Sequence, residues 1–283
     1  MPDVGPTAVL PRRPLTVGEL LDSAVLLLRG HGRLLIPLAA VLAVGEQLLL
    51  YPLRLLTDVV PPIWWTEWGA FGGWWVLLAV GAGIEAVVVT LLGAPAARAA
   101  GAALLGRRAG VRELLRPAGV RWGAALLLAP VVGLLVALAA LLGPLWIVGY
   151  GLHGSVAPAL VLDRVPAGQV LSRSARIAVR GGGRVGNVRV LGYLGWWILR
   201  VGVALGLFYG VDRLDLVDLT DPAVAPVAAM VVWAAVNSVA YPALACLDAV
   251  THLDARMRAE GLDIRLSRAP AGTPEPALLA ADR

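Results

Sequence analysis

Residues 122–162 read WGAALLLAPVVGLLVALAALLGPLWIVGYGLHGSVAPALVL, and no charged residue lies between Arg121 and Asp163. At 1.5 Å per residue, a helix through this stretch would run roughly 60 Å, twice the hydrocarbon thickness of a bilayer. Gly143-Pro144 sits at its middle, where glycine and proline break a helix. The stretch therefore predicts a tight helical hairpin that crosses a membrane twice.

Apolar runs of similar length flank this hairpin on both sides. They cover Leu34 to Leu53, Trp74 to Ala94, Leu191 to Val211 and Ala223 to Leu247, and the hairpin itself divides into Gly123 to Leu142 and Leu145 to Leu162. Six transmembrane helices are predicted, in an all-α polytopic membrane protein. Composition agrees: 59% of the 283 residues are apolar, 15% are charged and the mean hydropathy is +0.78. A chain with so little polar surface cannot cover a soluble core.

All 24 basic residues are arginine, a bias that GC-rich codons produce and that points to a bacterial membrane. Apart from Arg54, Arg200 and Arg213, the arginines fall near the N-terminus, in the loops around Arg98 to Arg121 and Arg164 to Arg189, and in the C-terminal tail. Such clusters between apolar runs mark the cytoplasmic side, so both termini are predicted there. They form no basic stripe on a soluble domain, which argues against nucleic acid as a partner. The opposite side carries an aromatic belt, Trp64, Trp65, Trp68, Phe71, Trp74 and Trp75, and the acidic run Asp212, Asp215, Asp218 and Asp221. Cys246 is the single cysteine, so an internal disulfide is impossible, and three scattered histidines suggest no metal site. Met1 to Pro14 has no apolar core ahead of a cleavage site, so a removable leader is not expected.

Before the first span, Thr16 and Glu19 form a capping box, with a staple from Leu15 to Leu20. Val17, Leu20, Leu21, Ala24, Val25 and Leu28 then repeat at helical spacing, which predicts an amphipathic helix on the inner leaflet or on the bundle end. Similar segments, Val111 to Ala118 and Gly168 to Ala175, precede spans three and five. Three tandem units of one amphipathic helix plus one hairpin are expected. The chain divides into a cytoplasmic tail at residues 1–14, a six-span membrane domain at 15–248, and a cytoplasmic helix end with a tail, disordered beyond Ser267, at 249–283.

Three stretches carry a family resemblance. They are Arg13-Pro14-Leu15-Thr16-Val17-Gly18-Glu19-Leu20-Leu21-Asp22, then Ala157 to Val165 leading to Ser172-Arg173-Ser174, and Asp254-Ala255-Arg256-Met257-Arg258-Ala259-Glu260-Gly261-Leu262-Asp263. With these the chain resembles actinobacterial proteins labelled as the membrane domain of glycerophosphoryl diester phosphodiesterase. It departs from them at His252-Leu253, where tyrosines are usual, and at Ala259, where a further arginine is common. The resemblance implies a multi-span module that accompanies a catalytic domain elsewhere, and the enzymatic name is not carried over. On their own residues, Asp254 with Arg258 and Arg256 with Glu260 are i, i+4 pairs on an exposed helix that Gly261 stops, followed by Asp263.

No glycine-rich phosphate loop, His-Glu-x-x-His motif or Ser/His/Asp set is present, so no catalytic residue and no cofactor is assigned. The residues that stand out lie within the spans: Glu46, Glu85, His153, Arg200 and Asn237. Glu46 falls about 18 Å, and Glu85, His153 and Arg200 about 14 Å, from the inner ends of their spans. Ionisable groups at that depth face the bundle interior and pair, either to hold helices together or to line a polar path. Span five also carries Gly195, Gly202, Gly206 and Gly210 on one face, a surface for close packing within the chain or against another copy. The first functional expectation is a non-enzymatic accessory or scaffold protein with lipid and membrane or cytoplasmic protein partners; the alternative is a small-solute or proton-coupled transporter. For topology, cysteines introduced at Thr66 and Asp218 react with an impermeant thiol reagent in intact cells and one at Ser267 does not. Labelling only at Ser267 would invert the arrangement.

Overall fold

The computed structural model describes residues 10–57, 71–180, 182–219, 221, 223–270 and 272–281. Among them every regular element is a helix: α1 (Val17–Thr57), α2 (Phe71–Leu104), α3 (Val111–Leu115), α4 (Pro117–Val120), α5 (Trp122–Leu141) and α6 (Leu145–His153), then α7 (Val156–Val161), α8 (Ala167–Val179), α9 (Arg184–Arg213), α10 (Val224–Glu260), α11 (Leu262–Arg268) and α12 (Glu275–Leu279). Five of these, α1, α2, α5, α9 and α10, are long and apolar enough to cross a membrane. Pro37, Pro52, Pro95, Pro130 and Pro242 lie inside them, which neighbouring helices make tolerable in membrane proteins. Trp64, Trp65, Trp68 and Thr66 lie outside the described residues; Phe71, Trp74 and Trp75 form an aromatic cluster, and Trp75 Nε1 donates to the Leu141 carbonyl at 3.1 Å.

The helical hairpin turns where the sequence places it, with Gly143 at φ 71°, a left-handed conformation that glycine adopts without a Cβ clash. Its second arm differs from the expected single span. α6 and α7 are separated at Gly154-Ser155 and together reach only from Leu145 to Val161. The amphipathic segments also differ from expectation. The first is continuous with the following span as the 41-residue α1, which carries Gly30 and Gly32 between Leu28 and Leu34 inside the helix. The second is cut by Pro117 into α3 and α4, and only the third, α8, stands as a separate amphipathic helix. The helix side of the expected three-fold repeat therefore has no common form.

The Thr16–Glu19 capping box forms, with Thr16 N–H donating to Glu19 at 2.8 Å and Glu19 N–H to Thr16 Oγ1 at 3.3 Å. Arg13 hydrogen-bonds the same carboxylate, and with the Thr16 donors it holds Glu19 near a pKa of about 2.

α10 is the core of the bundle and packs on α1, α2 and α9. Every residue from Ala240 to Met257 is buried, so the polar groups of its inner half need partners. The i, i+4 pairs Asp254–Arg258 at 2.9 Å and Arg256–Glu260 at 3.0 Å form, and Gly261 caps the helix at φ 59°. This end is not the exposed face that the spacing suggests, however. Arg256 is 0% and Asp254 2% exposed, because two other parts of the chain fold over them. Asp254 accepts the Leu15 N–H at 2.7 Å, and Arg256 donates to the carbonyls of Leu279 at 2.5 Å and Ala280 at 3.1 Å. The tail expected to be disordered past Ser267 instead carries α12, with Leu279 buried and Glu275 paired to Arg107. A Pro/Ala/Gly-rich composition hides this docking because it rests on a few contacts, Leu278 and Leu279 against the core and the arginine donors on α10 and in the loop after α2. Asp263 sits in the first turn of α11.

Asp163 is the hub of this inner end. It meets Arg173 at 2.8 Å, His252 at 2.9 Å and Arg256 at 2.9 Å, and Arg173 continues to Glu260 at 2.5 Å. Burial by itself would raise the Asp163 pKa; His252, Arg256 and Arg173 outweigh it and bring it down to about 2. A carboxyl lowered from its usual 3.8 to about 2 contributes roughly 2 kcal/mol, full above pH 4 and lost as pH falls through 2. Asp163→Asn should therefore lower the unfolding midpoint in mild detergent at pH 6 and blunt the further fall between pH 4 and 2. An unchanged acid limb would show that Asp163 is not the hub.

Candidate intramembrane binding cavity

Four helices, α1, α2, α9 and α10, enclose a partly open cavity of about 260 Å³ among the described residues. Each contributes a polar residue from the face it turns inward. On α9 the buried positions Val188, Arg189, Gly192, Tyr193, Arg200, Ala204 and Phe208 form one stripe, and Arg200 lies on it at helical spacing from Tyr193 and Ala204. The neighbouring faces present Glu46 from α1, Glu85 from α2, and Asn237 and Tyr241 from α10.

Arg200 Nη1 donates to Glu85 Oε2 at 2.9 Å, and its guanidinium carbon lies 5.3 Å from the Tyr193 ring centre and 5.6 Å from that of Tyr241. Glu46 takes a different set of partners. The Tyr241 hydroxyl lies 2.7 and 2.9 Å from its two oxygens, and Asn237 Nδ2 lies 3.5 Å from Glu46 and 2.8 Å from the Tyr241 oxygen. Arg54, from the far end of α1, bends back so that Nη2 donates to Gln47 Oε1 at 2.8 Å, and is only 7% exposed. Trp74, Trp197 and Trp233 complete the wall.

The polar atoms of this wall are incompletely paired. Arg54 Nη1, Glu85 Oε1, Arg200 Nε and Asn237 Oδ1 are buried and have no protein partner. Buried amide, carboxylate and guanidinium atoms left without partners each cost on the order of 1–3 kcal/mol or more, and in hydrocarbon no solvent offsets that cost.

Of the five residues singled out by sequence, the structure brings four together: Glu46, Glu85, Arg200 and Asn237. His153 lies elsewhere. It contacts Arg189 at 2.7 and 3.1 Å, and Arg189 pairs with Asp248 at 2.5 Å while stacking over Tyr150 at 4.0 Å. This second buried pair is tightly packed: a Cβ on Gly154 would fall 2.7 Å from Asp248 Oδ1. Equal distance from a helix end does not bring groups together when, like His153, they sit on a helix that faces another part of the bundle.

The glycine stripe makes no close contact within the chain. A Cβ at Gly195, Gly202, Gly206 or Gly210 would meet nothing within 4 Å. Close packing is instead at Gly83 and Gly133, where a Cβ on either residue would come within 2.8 Å of the other's carbonyl oxygen. These two glycines let α2 and α5 touch backbone to backbone.

Sequence reasoning missed Arg54, Gln47, Tyr193, Tyr241 and the tryptophans as cavity residues, and Arg189 with Asp248 as a buried pair. A usable signal exists on α10. Asn237, Tyr241, Asp248 and His252 recur at offsets of 4, 11 and 15, one face of a helix. Arg54 and Arg189 sit at the ends of apolar runs, where a lone arginine reads as a loop charge. No family model, curated protein or solved structure matches the chain.

Proposed function

We propose that this chain is a non-enzymatic six-span protein of a bacterial cytoplasmic membrane, with both termini inside, that holds a small polar solute in the cavity between α1, α2, α9 and α10. α6 and α7 together make the fourth crossing, as a broken helix. A solute-binding or transporting role is favoured over an accessory or scaffold role by one observation: of the ten unpartnered buried polar atoms among the described residues, four belong to residues that line a single cavity, while the other six are spread over the rest of the bundle. A network serving packing alone gains nothing from leaving Arg54, Glu85, Arg200 and Asn237 incompletely bonded. The docking face that a scaffold would use at the inner end of α10 is also occupied by the chain's own termini. We further propose kinship with the membrane modules that accompany glycerophosphoryl diester phosphodiesterases, which assigns no reaction to this cavity.

Water access to the cavity separates the two roles. Ala82 lines it, while the native Cys246 is buried. In a Cys246→Ala background, Ala82→Cys should react with a charged, membrane-impermeant thiol reagent added from outside, and Leu126→Cys on the exposed surface of α5 should react only with a lipid-soluble maleimide. Reaction of Ala82→Cys with the lipid-soluble reagent alone would leave the cavity dry and return the scaffold role to first place.

A further inference from the structure

We infer that the cavity takes a small zwitterion, a molecule with an ammonium group and an acid group separated by a short apolar link. The inference rests on the solute-binding role proposed above and adds the class of solute. Four ionisable side chains line the cavity, Glu46, Glu85, Arg54 and Arg200, and their formal charges cancel. A guest with net charge would leave one wall charge without a counter-ion in a low-dielectric site, at a cost of several kcal/mol. A neutral non-ionic guest would leave the wall's separated charges unpaired as well. A guest with one charge of each sign satisfies both.

The charges are also separated into two ends. At the floor two carboxylates face one guanidinium: Glu85 spends Oε2 on Arg200 at 2.9 Å, keeps Oε1 unpartnered, and Glu46 receives only uncharged donors from Tyr241 and Asn237. This end is negative in balance and suits a cation. Trp197 and Trp233 line the same cavity, and aromatic faces add attraction for ammonium groups, methylated ones included. At the other end Arg54 has no carboxylate partner; Gln47 takes one of its terminal nitrogens and Nη1 is left open. That end suits an acid group.

The spacing limits the guest to a small molecule. Eight residues along α1 from Glu46 to Arg54 rise roughly 12 Å, but Arg54 folds back to the amide of Gln47, the residue after Glu46, and so shortens the gap. The volume of about 260 Å³ lies below the roughly 300–1,000 Å³ of sites for drug-sized ligands. Amino acids and betaines have these dimensions, and so does the charged head of a zwitterionic phospholipid.

Glycine betaine is a direct probe, compared with choline, which keeps the cation alone, and with the carbon isostere in which a tert-butyl group replaces the trimethylammonium, which keeps the acid alone. Titrated into the full chain in maltoside detergent and followed by tryptophan fluorescence and ligand-detected NMR, the betaine should bind at least about tenfold tighter than either half-molecule, the worth of one charge-assisted contact. Arg54→Gln should collapse that preference to about twofold or less, and Arg54→Lys should retain most of it. In nanodiscs, competition of phosphatidylethanolamine with the betaine assigns a lipid headgroup as the natural source, and absence of competition assigns a free solute; both keep the class. Choline binding as tightly as betaine, or an undiminished preference in a folded Arg54→Gln protein, overturns the zwitterion. If no probe binds while Ala82→Cys still reacts with the impermeant reagent, the class is wrong and the solute-binding role stands; if neither occurs, both fall.

Discussion

Hydrocarbon does not solvate charge, and the pairing of Arg200 with Glu85 at 2.9 Å is how this bundle places a guanidinium and a carboxylate at mid-depth. Neither group would remain ionised there alone. The pair ties α9 to α2, to which it is otherwise little packed, while Arg189 with Asp248 and His153 ties the inner half of α9 to α10 and α6. A lipid-facing helix with an unpaired arginine would be expelled or would drag water inward. Pairing across the bundle makes the helix part of the protein, and it also fixes one wall of the cavity.

The polar residues of α10 show how the two halves of the molecule differ. In the inner half, Asp248 has Arg189, His252 has Asp163, Asp254 has the Leu15 amide and Arg258, and Arg256 has Asp163, Glu260 and two tail carbonyls. These groups are closed by the chain's own ends and by α8, and they convert the two termini and two loops into one packed cap. In the outer half, Asn237 and Tyr241 meet Glu46 and open onto the cavity, where donors and acceptors outnumber their protein partners. Unpartnered atoms occur in the base too, at Arg173 Nη2 and His252 Nδ1, but there they are scattered, whereas those of the wall gather on one cavity. Hydrogen bonds in the base specify one packing; those left open in the wall are the ones the proposed guest would take.

Much of this architecture is legible in the sequence because hydrocarbon thickness and helical rise are fixed quantities. The long helices α1, α2, α5, α9 and α10 lie over the predicted runs, Gly143 turns the hairpin, Thr16 and Glu19 cap α1, and Gly261 ends α10. Depth along a span is legible too: it puts Glu46, Glu85, His153 and Arg200 near one level, and the first, second and fourth of these line the cavity. What depth cannot supply is azimuth relative to neighbours, which depends on tertiary packing. His153 has the right level and the wrong direction. The glycines of span five have the right spacing and no neighbour within the chain, while Gly83 and Gly133, unremarkable alone, meet each other. Long side chains add a second difficulty: Arg54 reaches back from a helix end to Gln47, and Arg256 reaches across to the tail, so each acts far from its own Cα.

The most direct test of the central pairing is a double-mutant cycle on thermal unfolding in mild detergent. Arg200→Leu leaves the Glu85 carboxylate buried without its cation, a loss of about 3–5 kcal/mol for such pairs, which corresponds to a fall in midpoint on the order of 10 °C. Adding Glu85→Gln to Arg200→Leu should recover a substantial part of that fall, because the stranded charge is gone. If the double variant is instead less stable by the sum of the two single losses, Arg200 and Glu85 do not interact, and the bundle is not organised around their pairing.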